Sequence, residues 1–354
     1  MFPQPKLMHL SELCITSSLT ARQAMQEINR LGIPNLALFI LDAQGKLIGA
    51  LSDGDIRRGL LEGKDLSLNV TSFMNANSKF FSQTGNNFEK YREYKNQGIR
   101  FIPIVDQDNT ILEIFDLDKY KAILPVDVVI MAGGRGERLS PLTDTVPKPM
   151  LMIGGKAIIA WNIDRIFEYG IKNIFITVRY LKDVIIDGLK SKISAHNFIT
   201  EDKPLGTIGS IKLIPKFFND HVILMNSDVL TNIDFEEFYA NFIDTKADLQ
   251  VATVPYNVTI PYGVIELNEH DNSVIQHKEK PRYTYYTNAG IYIFKRSLIE
   301  MIPTDVKFDA TDFVDILIEK GYKVISYPLY GYWLDIGQPE DFIKAQEDVK
   351  HIDF

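Results

Sequence analysis

Residues 126–150 read VDVVIMAGGRGERLSPLTDTVPKPM, and this stretch limits what the chain can fold into more than any other. It begins as a short apolar run rich in β-branched residues, the pattern of a buried strand. The run ends at Ala132 and passes into Gly133, Gly134 and Gly136. Glycines spaced this closely permit torsions and close approaches that side chains block. At the carboxyl end of a strand in an α/β sheet, such a loop aims a row of N–H groups at phosphate oxygens. Arg135, Arg138 and Lys148 add positive charge to the segment, which a plain surface turn does not need. Two other glycine loops are excluded. Gly155-Lys156 is followed by Ala157 rather than Ser or Thr, and Leu139 stands where a dinucleotide fingerprint has its third glycine.

A chain of 354 residues suggests two domains, each large enough for its own core. The formal net charge of −8 argues against a nucleic-acid partner, which asks for a basic face. Cys14 is the single cysteine, so neither a disulfide framework nor a cysteine metal site is expected. No apolar run approaches the about 20 residues of a membrane span, and no signal segment opens the chain. A cytoplasmic protein without a membrane partner is the expectation.

The first third contains a repeat. LALFILDAQGKLIGALSDGDI at 36–56 matches RFIPIVDQDNTILEIFDLDKY at 100–120, pairing Asp42 with Asp106 and Gly45 with Asn109 at a constant offset of 64. Each copy reads as a hairpin, preceded by a helical stretch at Thr20–Leu31 or Phe88–Asn96. Two copies of this size suggest packing about a pseudo-twofold axis. The boundary falls near Ile123-Leu124-Pro125.

Beyond it, strand and helix patterns alternate: a helix at Lys156–Tyr169, a strand at Asn173–Val178, a helix at Leu181–Lys190 and a strand at His221–Met225. Such alternation predicts βαβ units and a mostly parallel sheet covered on both faces, with ligands beyond the strands' carboxyl ends. Asp228 follows one such strand, where it reads either as a Mg²⁺ ligand or as a turn or cap residue. Residues 201–210 are read as joining a strand to a helix. None of the six histidines falls in a metal or triad spacing.

The string Gly-Gly-x-Gly-x-Arg-Leu-x-Pro-Leu-Thr, followed by Pro-Lys-Pro-Met, closely resembles the signature of the sugar-1-phosphate nucleotidyltransferases. The later segments Glu201–Ser210, Asn226-Ser-Asp, Tyr262-Gly-Val, Glu279-Lys-Pro, Asn288-Ala-Gly and Trp333-Leu-Asp-Ile-Gly occur in the matching order. The resemblance implies a Rossmann-like, mostly parallel, GT-A-like α/β domain over residues 125–354. It implies a nucleoside triphosphate and a hexose- or hexosamine-1-phosphate as substrates, joined to a nucleotide sugar with release of pyrophosphate. It assigns Arg138, Lys148 and Asp228 to catalysis, and Mg²⁺ to Asp228 and Asp335. Ala132, Gly133, Gly134, Gly136, Glu201, Pro204, Gly206 and Thr207 would bind the nucleotide; Gly263, Glu279, Lys280 and Asn288 would bind the sugar phosphate. Trp333 reads as a core residue.

Residues 1–122 resemble an α+β tandem of CBS domains, with repeats at about 8–62 and 66–120. In the first repeat, Gly-Ala-Leu-Ser-Asp-Gly-Asp-Ile-Arg-Arg at 49–58 carries the match. The resemblance implies an adenine nucleotide held by Ser52 and Asp55, with Asp116 and Lys119 breaking the pattern in the second copy; a packing or dimerisation role is the alternative. A homo-oligomer is expected. A final helix is expected at Pro339–Lys350, and the left-handed β-helix that some relatives append is not expected after it.

The base follows from Glu201. A carboxylate only accepts hydrogen bonds, and guanine presents the adjacent donors N1–H and 2-amino. Uracil and thymine present a donor flanked by acceptors, which a carboxylate repels, whereas cytosine and adenine amino groups also satisfy it. An acidic residue before Pro-Leu-Gly-Thr is also common in guanylyltransferases of the family, so GTP is expected. The competing readings are the same reaction with UTP, CTP or dTTP, and a non-catalytic nucleotide-sensing subunit. The product would serve surface glycans or protein glycosylation.

Overall fold

The computed structural model describes residues 10–33, 36–83 and 87–352. The chain divides into two compact units, Met1–Ile123 and Leu124–Phe354. The start of the first repeat, at about residue 8, lies outside the described residues.

The first unit runs α1 (Leu10–Leu13), β1 (Cys14–Thr16), α2 (Ala21–Leu31), β2 (Ala37–Leu41), β3 (Leu47–Ser52), α3 (Asp53–Leu61), β4 (Phe81–Ser82), α4 (Phe88–Asn96), β5 (Phe101–Val105) and β6 (Ile111–Asp116). It holds two sheets of the same plan, β1-β2-β3 and β4-β5-β6. In each the first pair is parallel and the second is an antiparallel hairpin. The hairpin turns share one device. Asp42 Oδ1 accepts from Gln44 N and Lys46 N at 2.9 Å each, and Asp106 Oδ1 accepts from Asp108 N at 2.9 Å and Thr110 N at 2.8 Å. Leu47 N donates to Asn109 O at 2.9 Å, so the two turns meet. The copies diverge afterwards: α3 follows β3, but only a 3₁₀ turn, Leu117–Lys119, follows β6. Thr20 caps α2 rather than belonging to it, and Gly32 at φ +62° ends that helix.

The second unit runs β7 (Val126–Ala132), β8 (Met152–Ile153), β9 (Lys156–Ala157), α5 (Ile158–Glu168), β10 (Ile174–Val178), α6 (Lys182–Leu189), β11 (Phe198–Thr200), β12 (His221–Asn226), β13 (Val229–Thr231), α7 (Phe235–Asp244), β14 (Leu249–Thr259), β15 (Val264–Leu267), β16 (Val274–Lys278), β17 (Arg282–Lys295), α8 (Ala310–Glu319), β18 (Val324–Pro328), β19 (Trp333–Asp335) and α9 (Pro339–Asp348). Its main sheet has the order β11-β10-β7-β12-β17-β14-β18, parallel throughout except for β17. The apolar run 126–132 becomes the central strand β7, which accounts for its nearly unbroken burial. On one face Val129, Leu224 and Phe294 pack with Ile211, Phe313 and Leu317.

Two expectations are corrected. Residues 201–210 lead into a 3₁₀ turn, Gly209–Leu213, not an α-helix; Pro215 lies just beyond and disfavours helical torsions before it. Lys156 and Ala157 form a hairpin strand with Met152 and Ile153, and the helix begins at Ile158. Gly154 at φ +57° and Gly155 at φ +81° make the hairpin's turn. No helix among the described residues is long and apolar enough to cross a membrane.

One acid sits inside the central strand. Asp127 is fully buried, and its Oδ2 accepts from Phe218 N at 2.7 Å and Asn219 N at 3.0 Å. Its Oδ1 accepts from Asn219 Nδ2 at 2.7 Å and Asn173 Nδ2 at 3.0 Å. The carboxylate thus pins the chain before β12 and the start of β10 to β7. Asp127→Ala strands these donors and should destabilise the unit by about 3 kcal/mol or more, with Asp127→Asn intermediate. Urea unfolding followed by tryptophan fluorescence would read this.

Candidate active site

The strand ends of the second unit build a cleft of about 570 Å³. The loop after β7 contributes Gly133, Gly134, Gly136, Arg138 and Lys148; the loop after β11 contributes Glu201, Pro204, Gly206 and Thr207. Asp228 enters from the end of β12. Ala132, buried, is the last residue of β7 behind this lining.

Gly136, Gly133 and Gly206 each have a local reason. Gly136 adopts φ +66°, and a Cβ there would sit 2.9 Å from the Lys148 Cβ. Thr143 Oγ1 donates to Gly136 O at 2.9 Å, folding the loop back so that Lys148 passes beneath the glycine. A Cβ on Gly133 would lie 2.9 Å from Glu201 Oε1. Gly206 adopts φ +78°, and a Cβ there would meet Phe308 O at 2.4 Å. Gly206 is therefore demanded by the backbone of residue 308 as well as by the expected base.

Lys148 is nearly buried, and its Nζ donates to Asp228 Oδ2 and lies 3.8 Å from Asp335 Oδ1. The two acids come from distant stretches joined by a short ladder. β13 pairs antiparallel with β19 with Val229 opposite Asp335, and Ile336 N donates to Asp228 O at 3.1 Å. A Cβ at Gly337 would be 3.7 Å from Asp335 Oδ2 and 3.8 Å from Arg138 Nη1, so the guanidinium is at the same corner. Burial, and then the charge of Asp228, push the Asp335 carboxyl above its ordinary range, against the pull of Lys148 and Arg138.

Asp335 Oδ1 is buried without a hydrogen-bond partner. An orphaned carboxylate oxygen beside a second carboxylate suits a hard cation such as Mg²⁺, which needs few protein oxygens. Among the described residues no group of three or more His, Cys, Asp or Glu forms a fuller metal site. Glu201 is buried; its Oε2 accepts from Leu205 N at 3.4 Å, and burial raises its pKa.

The structure does not bring the other expected residues into this cleft. Gly263 and Glu279 adjoin on the β15–β16 ribbon, where a Cβ on Gly263 would be 3.2 Å from Glu279 Oε2. Lys280 is exposed at φ +44°. Asn288 Nδ2 donates to Tyr292 Oη at 2.7 Å, and the residue lines a separate cavity of about 390 Å³ with Thr253 and Thr311. In the first unit Ser52 and Asp55 serve α3. Ser52 Oγ donates to Asp55 Oδ2 at 2.6 Å, and Ser52 is the helix's N-cap.

Sequence reasoning missed Arg179, Lys307 and Asp309 in the cleft. Arg179 is the first residue beyond β10, where the expectation that ligands sit beyond the strands' carboxyl ends would have found it. Lys307 and Asp309 arrive from the start of α8 and carry no sequence signal. Asp309 Oδ1 accepts from Thr207 N at 2.9 Å, and Ala310 N donates to Thr207 Oγ1 at 2.7 Å.

Comparison with known proteins agrees with this architecture. Residues 127–351 match the nucleotidyl transferase family model and residues 6–62 the CBS domain model. Mannose-1-phosphate guanylyltransferase of Mycobacterium tuberculosis is 32% identical over 233 residues, covering 63% of this chain and 64% of that protein. The bifunctional protein GlmU of Methanocaldococcus jannaschii is 32% identical over 229 residues, covering 63% and 54%. The chain thus spans less than two thirds of the length of these relatives. A solved structure of a putative glucose-1-phosphate thymidylyltransferase from Bacillus anthracis, in complex with a sucrose, shares the fold at a TM-score of 0.51 and 21% identity over 65% of this chain and 97% of that one. A mostly parallel sheet with its glycine loop, basic residues and paired acids at the strand ends, matched over residues 127–351, makes this chain a member of the nucleotidyl transferase family.

Proposed function

We propose that residues 125–354 condense GTP with a hexose- or hexosamine-1-phosphate, giving a nucleotide sugar and pyrophosphate for glycan or protein glycosylation. The carrying observation is the Lys148 ammonium held between Asp228 and Asp335 at the edge of the glycine-loop cleft. An oxygen of the sugar phosphate attacks the α-phosphorus, the bond from that phosphorus to the bridging oxygen breaks, and pyrophosphate leaves with the electron pair. The nucleophile is already an anion at neutral pH, so no side chain need remove a proton. The reaction asks for fixed positive charge where negative charge grows.

The N–H groups of Gly133–Gly136 and the Arg138 guanidinium would take the triphosphate. Lys148, clamped before substrate arrives, would meet the α-phosphate and the incoming phosphate without reorganising. Asp228 and Asp335 would hold Mg²⁺, which supplies further charge neutralisation at the phosphate oxygens. Gly263, Glu279, Lys280 and Asn288 are the proposed sugar-phosphate contacts. For residues 1–122 we propose a CBS pair whose adenine-nucleotide site would be at Ser52 and Asp55, with packing alone as the alternative that their mutual hydrogen bonds favour.

Pyrophosphate release, measured with Mg²⁺ and GTP, UTP, CTP, dTTP or ATP against a panel of hexose- and hexosamine-1-phosphates, tests the reading directly. Release with GTP is expected, and silence across the panel from folded protein would favour a non-catalytic sensor. Lys148→Ala and Asp228→Ala should each lower kcat by about 10²-fold or more in protein that remains folded. Near-normal turnover in either would remove that residue from its role.

Glu201 also sets a pH dependence. Its raised pKa means the carboxylate is protonated, and stops accepting from guanine N1–H, at a higher pH than an exposed glutamate would. KM for GTP should therefore climb as pH falls through that raised value. Glu201→Gln should raise KM by about 10-fold or more and flatten the climb; an unaltered GTP preference in that variant would count against the pairing.

A further inference from the structure

Three neighbouring parallel strands end at one level. Val178 of β10 pairs with Ala132 of β7 and with Thr200 of β11, so the next residues are Arg179, Gly133 and Glu201. Glu201 N donates to Val178 O at 3.0 Å, which holds the β11 end in step with β10. The Glu201 carboxylate lies against Gly133, two strands away from its own backbone, and therefore crosses the end of β10. Arg179 is half-buried there and lines the same cleft.

The two charges feel each other, since Arg179 is among the groups acting on Glu201. They are nevertheless not joined: among the described residues the Arg179 guanidinium has no hydrogen bond or ion pair. Two other guanidiniums of the unit are held by protein groups. Arg165 donates to Ile233 O at 2.8 Å, and Arg296 pairs with Asp220 at 3.0 Å. A half-buried cation and a buried carboxylate that share a cleft without closing on each other leave a gap with a donor on one side and an acceptor on the other.

We infer that Arg179 is a specificity-determining residue that donates to the 6-oxo group of guanine while Glu201 accepts from N1–H and the 2-amino group. The inference rests on the guanine reading above and deepens it. Guanine's edge runs acceptor, donor, donor, which is the complement of guanidinium beside carboxylate. Adenine sets an amino group against Arg179 and a lone pair against Glu201. Cytosine also turns an amino group to the cation. Uracil and thymine satisfy the cation but place their 2-oxo group against the carboxylate. Glu201 alone leaves adenine and cytosine open; the pair rejects both.

The test is a set of kcat/KM ratios with GTP, 6-thioguanosine triphosphate and inosine triphosphate. Sulfur at position 6 is a poor acceptor but leaves N1–H and the 2-amino group in place, whereas inosine lacks only the 2-amino group. Wild-type protein should favour GTP over the thio analogue by about 10- to 100-fold. Arg179→Met should bring that ratio to within about threefold of unity by raising KM for GTP at retained kcat, leaving the GTP-to-ITP ratio as it was. Arg179→Lys, which keeps one donor, should restore part of the discrimination; it also serves if the Met variant fails to fold.

A parallel fall for GTP and its thio analogue in Arg179→Met would assign the cation to phosphate and overturn the inference. So would an unchanged ratio in variants that fold. Wild-type protein that turns over another nucleotide in preference to GTP would overturn the guanine reading and this inference together. A GTP preference that survives the Arg179 variants intact would overturn this inference alone.

Discussion

The second unit's chemistry hangs on one contact, the Lys148 ammonium between Asp228 and Asp335. A nearly buried lysine is costly unless its charge is met, and two carboxylates meet it. That contact requires much else. Gly136 must lack a side chain so that Lys148 can pass beneath it, and β13 must pair with β19 in the register that sets Val229 against Asp335. A slip of one residue in that ladder would turn Asp335 to the other face. The orphaned Asp335 Oδ1 shows that the lysine does not saturate the pair.

The fold was legible in the sequence wherever burial made the pattern one-sided. β7, β10 and β12 lie inside the sheet, buried along most of their length, and their short, largely apolar, β-branched runs read as strands. Of the hairpin of β8 and β9, only β9 reads as the start of a helix, because Lys156 and Ala157 suit that state as well. Only the adjacent left-handed Gly154 and Gly155 distinguish the two. Site residues divide the same way. Those carried by a contiguous motif, Gly133 to Lys148, lie together in the cleft. Asn288 has a motif of its own, yet its side chain is occupied by Tyr292 and Gly290, because spacing along a strand does not say which face a side chain takes after the irregular pairing between Val251 and Thr253.

In the first unit the repeat at offset 64 survives as repeated physics: an aspartate bonded to the backbone two and four residues on closes each hairpin. Where the sequences part, so do the structures. Ser52 and Asp55 cap α3 reciprocally. In the second copy Asp116 caps only a 3₁₀ turn, its Oδ1 accepting from Asp118 N at 3.2 Å, and it also pairs with Arg100 at 3.2 Å. A reciprocal cap and a cap shared with an arginine leave different surfaces at the two equivalent places.

The expected base site shows why a local motif can be read correctly for an incomplete reason. Gly206 is conspicuous in Pro-Leu-Gly-Thr, but the force that excludes a side chain there comes from a residue about a hundred positions later. Ile208 N and Gly209 N both donate to Phe308 O at 3.2 Å, and Phe308 N donates to Leu205 O at 2.9 Å. Asp309 Oδ1 then accepts from Thr207 N, and Thr207 Oγ1 accepts from Ala310 N at the start of α8. The loop is thereby tied to a helix packed on the sheet through Phe313 and Leu317. A loop fastened in this way loses little further freedom when a ligand arrives, so binding energy is not spent on ordering it. The glycine is the price of that attachment, since any Cβ would strike the Phe308 carbonyl that anchors the loop.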